Sequence, residues 1–412
     1  MGIIVQKYGG TSVGTIAKIK NVAKKILAAK AAGDQVVAVV SAMGQTTDAL
    51  IAKIKKLAPL SAPREYDALV SIGENESAAL LAQAILAQGG QAVSLTGWQA
   101  GIRTEDNHSK CKIIDVDARR IRQELNAGKI VVVAGFQGIN SSGDVTTIGR
   151  GGSDTSAVVL AAALEARVCE IYTDVDGVYT ADPRALPEAR RLTAISHEEM
   201  LELASLGAGV MHPRAVECAK VNNMTLAVKH SQKTGKGTLI TMAGEKLNTV
   251  AGVAADDNVA KIGLMRVPDA PGVAAELFGA LAAARINVDV IVQSIHQEAR
   301  KNDISFTVAN EDYDRALKLT KEKARSWPGC AAAGNTAVAK ISVVGIGMAS
   351  SPGVAARMFA ALGRAKINIQ MISTSEIKIS CIIEKKELKR ALKAVHAAFG
   401  LASVKKAGSC GI

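Results

Sequence analysis

Residues that can bind an anion and residues that can bind a hard cation lie close together in the stretch 145–184, which reads VTTIGRGGSDTSAVVLAAALEARVCEIYTDVDGVYTADPR. In its first half, Arg150 precedes a pair of glycines and Ser153, and an apolar run of helix length follows at 157–164. Glycines let peptide N–H groups approach a phosphate, and the dipole at a helix N-terminus favours negative charge. This half therefore predicts a site for an anionic ligand.

The second half of the stretch is acidic. A strand-like run at 168–172 ends in Thr173-Asp174, and Asp176 and Asp182 follow in the same loop. Carboxylates at the end of a strand suit Mg²⁺ or ribose hydroxyls. Taken together, the halves predict a site for an anionic ligand and its cation. The alternative interpretation is a glycine-rich turn beside a solvated acidic loop.

Two further polar clusters follow strand-like runs near the N-terminus. Lys7 ends the first run, just before Gly9-Gly10-Thr11, and Ser41 and Thr47 follow the second run. The glycines match neither the G-x-x-x-x-G-K-[ST] nor the G-x-G-x-x-G pattern, so a structural turn stays possible. For Thr47, or for Asp48 beside it, a simple helix N-cap is the alternative.

The elements that must position these residues alternate between strands and helices. This order predicts a largely parallel sheet with helices on both faces. Because the polar clusters repeatedly follow strands, we expect them to meet at one edge of that sheet, where open α/β sheets bind ligands. The expected strands are 3–8, 36–40, 91–95, 130–134, 168–172 and 225–229.

The C-terminal part of the chain contains an internal repeat. Residues 271–294 and 352–375 match at 13 of 24 positions, at an offset of 81 residues. Each copy has the order β-α-β-β-α, with room for a fourth strand in a ferredoxin-like module. The sequence therefore predicts three domains: a first domain at 1–242, one repeat at 258–330 and the other at 338–405.

Composition excludes several functional classes. Aromatic residues make up only 3% of the 412 residues, which disfavours a stacking platform for single-stranded nucleic acid. The net charge of +12 is spread along helix faces, so we expect a solvated basic surface and no nucleic-acid partner. Six cysteines without a C-x-x-C pair indicate reduced thiols, with neither disulfides nor a zinc site. With no signal peptide and no membrane-spanning run, the expected location is the cytoplasm.

Several motifs occur in an order that is highly specific when they are taken together. They are VQKYGGTSVG, SAMG with TTD, a Gly73-Glu74 turn, GFQG, TTIGRGGSDTSA and TDVDGVYTADPR. With the repeated tail, this set resembles the aspartokinase family with tandem ACT domains. The resemblance implies the amino-acid kinase fold, an αβα sandwich with a mainly parallel sheet, plus two α+β ferredoxin-like ACT domains. It also implies L-aspartate and ATP as substrates, Mg²⁺ as the ion and no membrane association.

The resemblance assigns roles residue by residue. Lys7 and Asp154 are implied to be catalytic, with Lys7 also reaching the transferred phosphoryl group. The residues implied to bind aspartate are Ser41, Thr47, Glu74, Arg150, Gly151, Gly152 and Ser153. The residues implied to bind ATP, besides Lys7, are Gly9, Gly10, Thr11, Thr173, Asp174, Tyr179, Asp182 and Arg184.

The resemblance also implies feedback inhibition by lysine, threonine or both, self-association through the ACT domains, and a place at the first step of lysine, threonine and methionine biosynthesis. In the first repeat, Asp269 and Asp289 are carboxylates in an apolar motif, which suits an ammonium group; a plain turn at Asp269 is the alternative. The implied effector contacts are Asp269, Gly272, Val273, Ala274, Asp289, Gln293, Asn368 and Ile369.

The sequence departs from the family pattern in three places. Gly209 stands where the family often has Lys, and Asn75-Glu76 stands where Arg is common after the Gly-Glu turn. Lys229 and Lys236 fall where Arg and Pro are common. Two other functions stay open. One is a kinase of the same fold acting on glutamate, acetylglutamate, carbamate or UMP, and the other is a catalytically silent amino-acid sensor.

Overall fold

The structure is a computed structural model and describes residues 2–58, 61–207, 210–245, 249–296 and 301–402. Gly209, named above, lies outside these ranges. The chain folds as two compact units. The first consists of residues 1–178, 191–205 and 209–246, and the second of residues 179–190, 206–208 and 247–412.

The first unit alternates strands and helices as predicted. In chain order its elements are β1 (Ile3–Tyr8), α1 (Ile16–Ala31), β2 (Gln35–Val40), α2 (Thr46–Leu57), α3 (Pro63–Val70), α4 (Ile72–Leu86), β3 (Ala92–Leu95), β4 (Ile102–Thr104), β5 (Ile113–Val116), α5 (Arg119–Asn126), β6 (Ile130–Ala134), β7 (Gln137–Ile139), β8 (Val145–Thr147), α6 (Gly152–Ala163), β9 (Val168–Thr173), β10 (Ala194–Ser196), α7 (His197–Ser205), α8 (Pro213–Val221), β11 (Leu226–His230) and β12 (Thr238–Thr241).

An eight-stranded sheet with the order β10-β12-β11-β9-β1-β2-β6-β3 forms the centre of the first unit. The six strands from β11 to β3 are parallel, and β12 runs antiparallel to β11. A smaller sheet of β5, β4, β7 and β8 accompanies it. Because the C-terminal ends of parallel strands lie at one edge, Lys7, Ser41 and Thr173 are brought to the same side of the sheet.

Both faces of the large sheet are covered by helices. On one face, α1 and α4 bury Ile19 and Leu81 against alternate residues of β1, β2 and β6. The intervening strand residues, such as Val5 and Val37, are also fully buried, and α6 packs against β1, β2 and β9. Burial of both side-chain sets is what a parallel sheet between two helical layers requires. The predicted αβα sandwich is confirmed.

The second unit contains the two repeats. In chain order its elements are β13 (Gly252–Asp256), β14 (Ala260–Pro268), α9 (Val273–Ala283), β15 (Ile291–His296), β16 (Lys301–Val308), α10 (Tyr313–Arg325), β17 (Ala331–Asn335), β18 (Val338–Val344), α11 (Val354–Arg364), β19 (Met371–Thr374), β20 (Lys378–Glu384) and α12 (Leu388–Ala398). Short 3₁₀ turns precede α10, α11 and α12.

Each repeat builds a four-stranded antiparallel sheet, and the two sheets obtain their fourth strand differently. The first sheet has the order β15-β16-β14-β17, and the second has the order β13-β18-β20-β19. In the first, β17 follows the repeat, whereas in the second, β13 precedes both repeats and pairs with β18. The sheet of the second repeat therefore includes residues 252–256, which lie outside the predicted range 338–405.

Local differences from the sequence-based expectations concern helix starts. Gly73 and Glu74 lie in the first turn of α4, so the expected turn is itself helical. The helix expected over the apolar run from residue 157 begins five residues earlier, at Gly152. Asp154 therefore lies in the first turn of α6. Within the described ranges no helix is both long and apolar enough to cross a membrane.

Candidate active site

A cavity of about 560 Å³ lies at the C-terminal edge of the large sheet, at the ends of β1, β2 and β6 and the start of α6. It brings together every residue that the sequence implied for aspartate binding and for catalysis. Its lining residues are Lys7, Ser41, Thr47, Asp48, Ile51, Tyr66, Glu74, Ser109, Lys110, Phe136, Gly149, Arg150, Gly151, Gly152, Ser153 and Asp154.

An ion pair between Lys7 and Asp154 joins two of the elements around this cavity. The Lys7 Nζ lies 2.6 Å from the Asp154 Oδ1, and each side chain is only 12% exposed. Lys7 is held by β1, whose neighbours β2 and β9 flank it on both sides, and Asp154 is held by the first turn of α6. The site thus presents a fixed ammonium group, partly screened from water, at a helix N-terminus.

Two glycines at the site have no room for a side chain. A Cβ on Gly10 would lie 2.6 Å from the backbone oxygen of Ala42, and one on Gly151 would lie 2.2 Å from His212. Gly151 also has φ +70°, a left-handed conformation that favours glycine, and it caps α6. Gly151 lines the cavity and so brings backbone to it, as a loop that offers N–H groups to an anion requires.

Glu74 is a buried carboxylate at the cavity, and only one of its two oxygens has a hydrogen-bond partner among the described residues. Its Oε1 accepts a hydrogen bond from the Ala42 N–H at 3.1 Å, while its Oε2 is buried and has no hydrogen-bond partner among the described residues. Burial raises the pKa of Glu74 to about 7, an effect that the backbone hydrogen bond only partly offsets. An ammonium group bound here would supply the missing partner and favour the ionised form.

The positions of Thr47 and Asp48 decide whether these residues are simple helix N-caps. Thr47 and Asp48 lie inside α2, which begins at Thr46, and its N-cap is Gln45. The N-cap interpretation of Thr47 and Asp48 is therefore wrong, and both side chains line the cavity instead. Arg150 is solvent-exposed at the cavity, on the loop before α6.

The sequence did not indicate Ile51, Tyr66, Ser109 or Lys110. Ser109 and Lys110 belong to an irregular polar loop, and Asp67, which is fully buried, fixes that loop. Its Oδ2 accepts hydrogen bonds from the backbone N–H of Ser109 at 2.8 Å and of Thr147 at 3.1 Å. A single aspartate in a short helix carries no periodic signal; the polar run DNHSK was the available clue.

The residues implied for nucleotide binding are divided between the two units. Gly9, Gly10 and Thr11 follow β1, and Thr173-Asp174 ends β9, all in the first unit. The Thr173 hydroxyl donates to the Asp174 carboxylate at 3.0 Å. The other three, Tyr179, Asp182 and Arg184, belong to the second unit.

Asp182 and Arg184 are paired with each other. The Asp182 carboxylate accepts from the Arg184 backbone N–H at 2.9 Å and from its guanidinium at 2.9 Å. These hydrogen bonds hold the pKa of Asp182 below its usual range. The role of these two residues in ATP binding stays a prediction.

The residues implied to contact an effector lie on loops and element ends of the second unit. Gly272 caps α9 with φ +95°, Val273 and Ala274 begin that helix, and Gln293 lies on β15. Asn368 and Ile369 lie between α11 and β19.

The two carboxylates of this set have partners in the structure. Asp269 accepts a hydrogen bond from the Asn302 side chain at 2.9 Å. Asp289, two residues before β15, is paired with Lys340 of the second repeat, which is itself buried and lies 3.5 Å from Asp256. The effector contacts therefore stay a prediction.

Two of the departures from the family pattern lie in described elements of the first unit. Lys229, on β11, pairs with the buried Glu170, which also accepts hydrogen bonds from Gln6 at 2.8 Å and Tyr172 at 3.1 Å. Asn75 and Glu76 continue the first turns of α4. Gly209 lies outside the described residues.

Comparison with known proteins defines the class first. The model of the amino acid kinase family matches residues 2–230, and that of the ACT domain matches residues 265–323 and 341–399. These matches describe a kinase domain followed by paired ACT domains.

Relatives and solved structures give the particular family. An aspartokinase of Pseudomonas aeruginosa is 50% identical over 405 residues, covering 97% of this chain and 98% of its own length. Aspartokinase 2 of Bacillus subtilis is 46% identical over 403 residues, with the same coverage. The structure of E. coli aspartokinase III in complex with aspartate and ADP is 25% identical, has a TM-score of 0.80, and covers 97% of this chain and 100% of that one. The chain belongs to the aspartokinase family, and its enzyme class is aspartate kinase.

Proposed function

We propose that the protein transfers the γ-phosphoryl group of ATP to the side-chain carboxylate of L-aspartate, producing 4-phospho-L-aspartate and ADP. One observation carries this proposal: the Lys7–Asp154 pair, with Lys7 Nζ 2.6 Å from Asp154 Oδ1, lies in the same cavity as Glu74 and Arg150. The site thus combines a cation for a transferred phosphoryl group with a carboxylate and a guanidinium suited to an amino acid.

Recognition of aspartate follows from the charges that line the cavity. The free Oε2 of Glu74 suits the α-ammonium group, which would give this buried oxygen its partner. Arg150 suits a carboxylate, because its guanidinium fork can donate two parallel hydrogen bonds. Ser41, Thr47 and Ser153 add hydroxyl groups at the same cavity.

Phosphoryl transfer to a carboxylate needs little covalent help from the protein. The attacking carboxylate is already ionised at neutral pH, so no general base is required. The barrier comes from bringing two anions together in line, and a fixed positive charge lowers it. Lys7 supplies that charge, Asp154 fixes the position of its Nζ, and the first turn of α6 adds the favourable end of a helix dipole.

ATP and Mg²⁺ fit the residues that are present. A Cβ on Gly9 would lie 3.4 Å from the Lys7 Nζ, so this glycine leaves bare backbone beside Lys7, as a phosphate cradle needs. Within the described ranges no three His, Cys, Asp or Glu side chains cluster closely enough to hold a metal ion. A Mg²⁺ bound to the phosphates would keep several waters and need at most one or two protein carboxylates, of which Asp154 at the cavity could be one. When bound, the ion would neutralise charge on the phosphate oxygens.

A coupled assay of ADP release tests the proposal. Purified protein with Mg-ATP is expected to release ADP with L-aspartate, and to release far less with glutamate, acetylglutamate, carbamate or UMP. A preference for one of these other acceptors would replace the proposed substrate. Binding of an amino acid without any ADP release would instead support a catalytically silent sensor.

For regulation, we propose inhibition by lysine, threonine or both through the ACT domains, and self-association through the same domains. Support comes from the matched ACT domains and from E. coli aspartokinase III, which was crystallised with lysine and aspartate. That structure is 25% identical, with a TM-score of 0.78, and covers 96% of this chain. A place at the first step of lysine, threonine and methionine biosynthesis is consistent with such inhibition.

A further inference from the structure

Lys110 lines the catalytic cavity without a role in the binding of either substrate as described so far. It is one of three basic side chains at that cavity, together with Lys7 and Arg150. Lys7 is engaged with Asp154. Within the described part of the chain, neither Lys110 nor Arg150 has an ion pair or a side-chain hydrogen bond. Two of the three cations at the cavity are therefore available to a ligand.

Lys110 and Arg150 belong to two loops of the first unit that touch at Gly149. A Cβ on Gly149 would lie 3.3 Å from the Lys110 Cγ and 3.4 Å from the backbone oxygen of Ser109. The stem of Lys110 therefore passes close to the residue that precedes Arg150. Gly149 has φ +85°, a left-handed conformation that favours glycine, so this close contact depends on glycine at that position.

One buried carboxylate, that of Asp67, fixes both loops. It has no exposed surface, and its Oδ2 accepts from the Ser109 backbone N–H at 2.8 Å and lies 3.0 Å from the Nδ1 of His108. The same side chain accepts from the backbone N–H of Thr147 at 3.1 Å and from its hydroxyl at 2.5 Å. Thr147 comes two residues before Gly149, so Asp67 anchors the two segments that supply the available cations.

The two cations suit one carboxylate of the substrate. Like charges on neighbouring loops repel each other, and an anion bound between them removes that repulsion. L-aspartate, the proposed substrate, carries two carboxylates, and only that of its side chain attacks the phosphoryl group. Two cations on the attacking oxygen would withdraw charge from the nucleophile. The α-carboxylate does not react, so it is the better ligand for the pair.

We propose that Lys110 binds the α-carboxylate of the amino-acid substrate together with Arg150, and that Asp67 is the positioning residue for both cations. The inference rests on the proposed function in taking L-aspartate as that substrate. Arg150 contributes the planar fork of its guanidinium and Lys110 contributes a compact point charge. Through this pair the site selects acceptors that have a free α-carboxylate.

Substitution of Lys110 tests the proposal. Lys110→Met keeps the apolar stem and removes the ammonium group, and the side chain is solvent-exposed, so the fold should be retained. The calorimetric Kd and the KM for aspartate are expected to rise roughly fivefold, while the KM for ATP changes less than about twofold. Lys110→Arg keeps the charge and should retain most of the affinity for aspartate.

The α-amide of L-aspartate is the matched ligand. It keeps the reacting side-chain carboxylate and lacks the charge of the α-carboxylate. Unmutated protein should bind it more weakly than aspartate, and Lys110→Met should change its Kd less than about twofold. An equal loss for aspartate and for the amide would mean that Lys110 does not contact the α-carboxylate, and would overturn the proposal.

The matched control variant is Lys112→Met. Lys112 is an exposed lysine two residues further along the same irregular stretch, and it does not line the cavity. Its substitution removes the same charge from the same part of the surface, so the Kd for aspartate should stay unchanged. An equal rise in Kd for Lys112→Met would show only a general loss of positive charge and would contradict a specific contact by Lys110.

The role of Asp67 is tested with a double-mutant cycle. Asp67→Asn places an amide N–H₂ where the carboxylate accepts from two backbone N–H groups, and it should weaken aspartate binding. If Asp67 positions Lys110, the added change Lys110→Met should cost less in this background than in the unmutated protein. Additive losses would remove Asp67 from the proposal. Should Asp67→Asn not fold, Thr147→Val, which removes one of the four contacts of Asp67, takes its place in the cycle.

The Kd measurements separate this inference from the proposed function. If the unmutated protein releases no ADP with aspartate, the proposed function fails, and the calorimetric Kd of aspartate still reports on Lys110→Met. If another amino acid proves to be the acceptor, that amino acid and its α-amide enter the same comparison. If the unmutated protein is active with aspartate and Lys110→Met keeps its Kd, the inference alone fails.

Discussion

The catalytic cavity of the first unit and the predicted effector contacts of the second unit are built differently. The cavity is framed by the ends of parallel strands and the first turn of α6, and one of its carboxylate oxygens, the Glu74 Oε2, has no hydrogen-bond partner among the described residues. In contrast, the carboxylates predicted to bind an effector are already engaged, Asp269 with Asn302 and Asp289 with Lys340. An effector ammonium group would have to compete with these partners.

This difference suggests a division of labour. In the part of the chain that the structure describes, the buried Oε2 of Glu74 has no partner and can accept one from a ligand without an exchange, so changes to the cavity residues should lower the basal rate. Contacts that must exchange partners to bind a ligand can bias an equilibrium between two arrangements, which is the requirement for regulation. Changes there should alter inhibition and leave the basal rate almost untouched. Four predictions test the comparison.

The largest effect is expected for Lys7→Ala. Removing one preorganised charge from a transition state costs about 3–4 kcal/mol, so turnover should fall several hundredfold. Steady-state ADP release measures this, and a thermal melt shows that the fold is retained. Lys24→Ala, on the exposed side of α1, is the control and should leave turnover unchanged. A loss below tenfold for Lys7→Ala would remove Lys7 from the chemistry.

The second prediction concerns Glu74 and the pH dependence of the KM for aspartate. Since its pKa is raised to about 7, the ionised fraction of Glu74 rises from roughly a tenth at pH 6 to roughly nine tenths at pH 8. Only the ionised form attracts an ammonium group, so the KM for aspartate should fall about tenfold over this range. Glu74→Gln should raise this KM and flatten its pH dependence.

The same shift has a consequence for the ligand-free protein. The folded state favours protonated Glu74, so this residue stabilises the fold below its ordinary pKa of 4.5, and that contribution is lost as the pH rises through about 7. In Glu74→Gln the melting temperature should depend less on pH between 5 and 8. Identical pH profiles for both proteins, in KM and in melting temperature, would contradict the role assigned to Glu74.

The third prediction concerns Arg150→Lys. Lysine keeps the charge and loses the two-pronged geometry, so the KM for aspartate should rise several-fold, on the order of 1 kcal/mol, and more than the KM for ATP. Initial rates with each substrate varied in turn measure both constants. Equal changes in the two constants would instead point to a structural role for Arg150 in the loop before α6.

These residues also show how far the sequence could lead. Lys7 and Arg150 stood out because they lie at the end of a strand or just before glycines, whereas the roles of Glu74 and Asp154 were implied by the family resemblance. Asp67 was not recognisable, since its importance depends on hydrogen bonds to Ser109 and Thr147, 42 and 80 residues away. A partner chosen by tertiary packing leaves no periodic trace in the sequence.

The fold shows the same limit. The order of strands and helices followed from alternating patterns in the sequence. For the first repeat, the sequence also left room for a fourth strand after the second helix. The fourth strand of the second repeat is β13, which precedes the first repeat in the chain and pairs with β18. An edge strand needs only to lie beside its neighbour in space, so its position in the sequence does not reveal the pairing. Likewise, nothing local indicates that Ala181, Leu186 and Ala189 belong to the core of the second repeat.

The smallest effect on basal turnover is expected for Asp269→Ala. This residue lies outside the catalytic cavity, so the uninhibited rate should stay within about twofold of the unmutated enzyme. Inhibition by lysine, threonine or both should weaken, because the coupling between an effector site and an active site is typically about 1–3 kcal/mol, enough for a several-fold change in substrate affinity. Rates at increasing effector concentration, with each amino acid alone and with both, measure the change.

Asn302 supplies the control that separates effector binding from local structure. Its side-chain amide donates to Asp269 at 2.9 Å, so Asn302→Ala removes the same hydrogen bond and keeps the carboxylate. If Asp269 binds an effector ammonium, Asn302→Ala should retain inhibition or strengthen it, because a competitor for the carboxylate has been removed. Equal relief of inhibition in both variants would mean that Asp269 only shapes the turn before α9. If neither amino acid at millimolar concentration changes the rate of the unmutated enzyme, regulation through this site fails altogether.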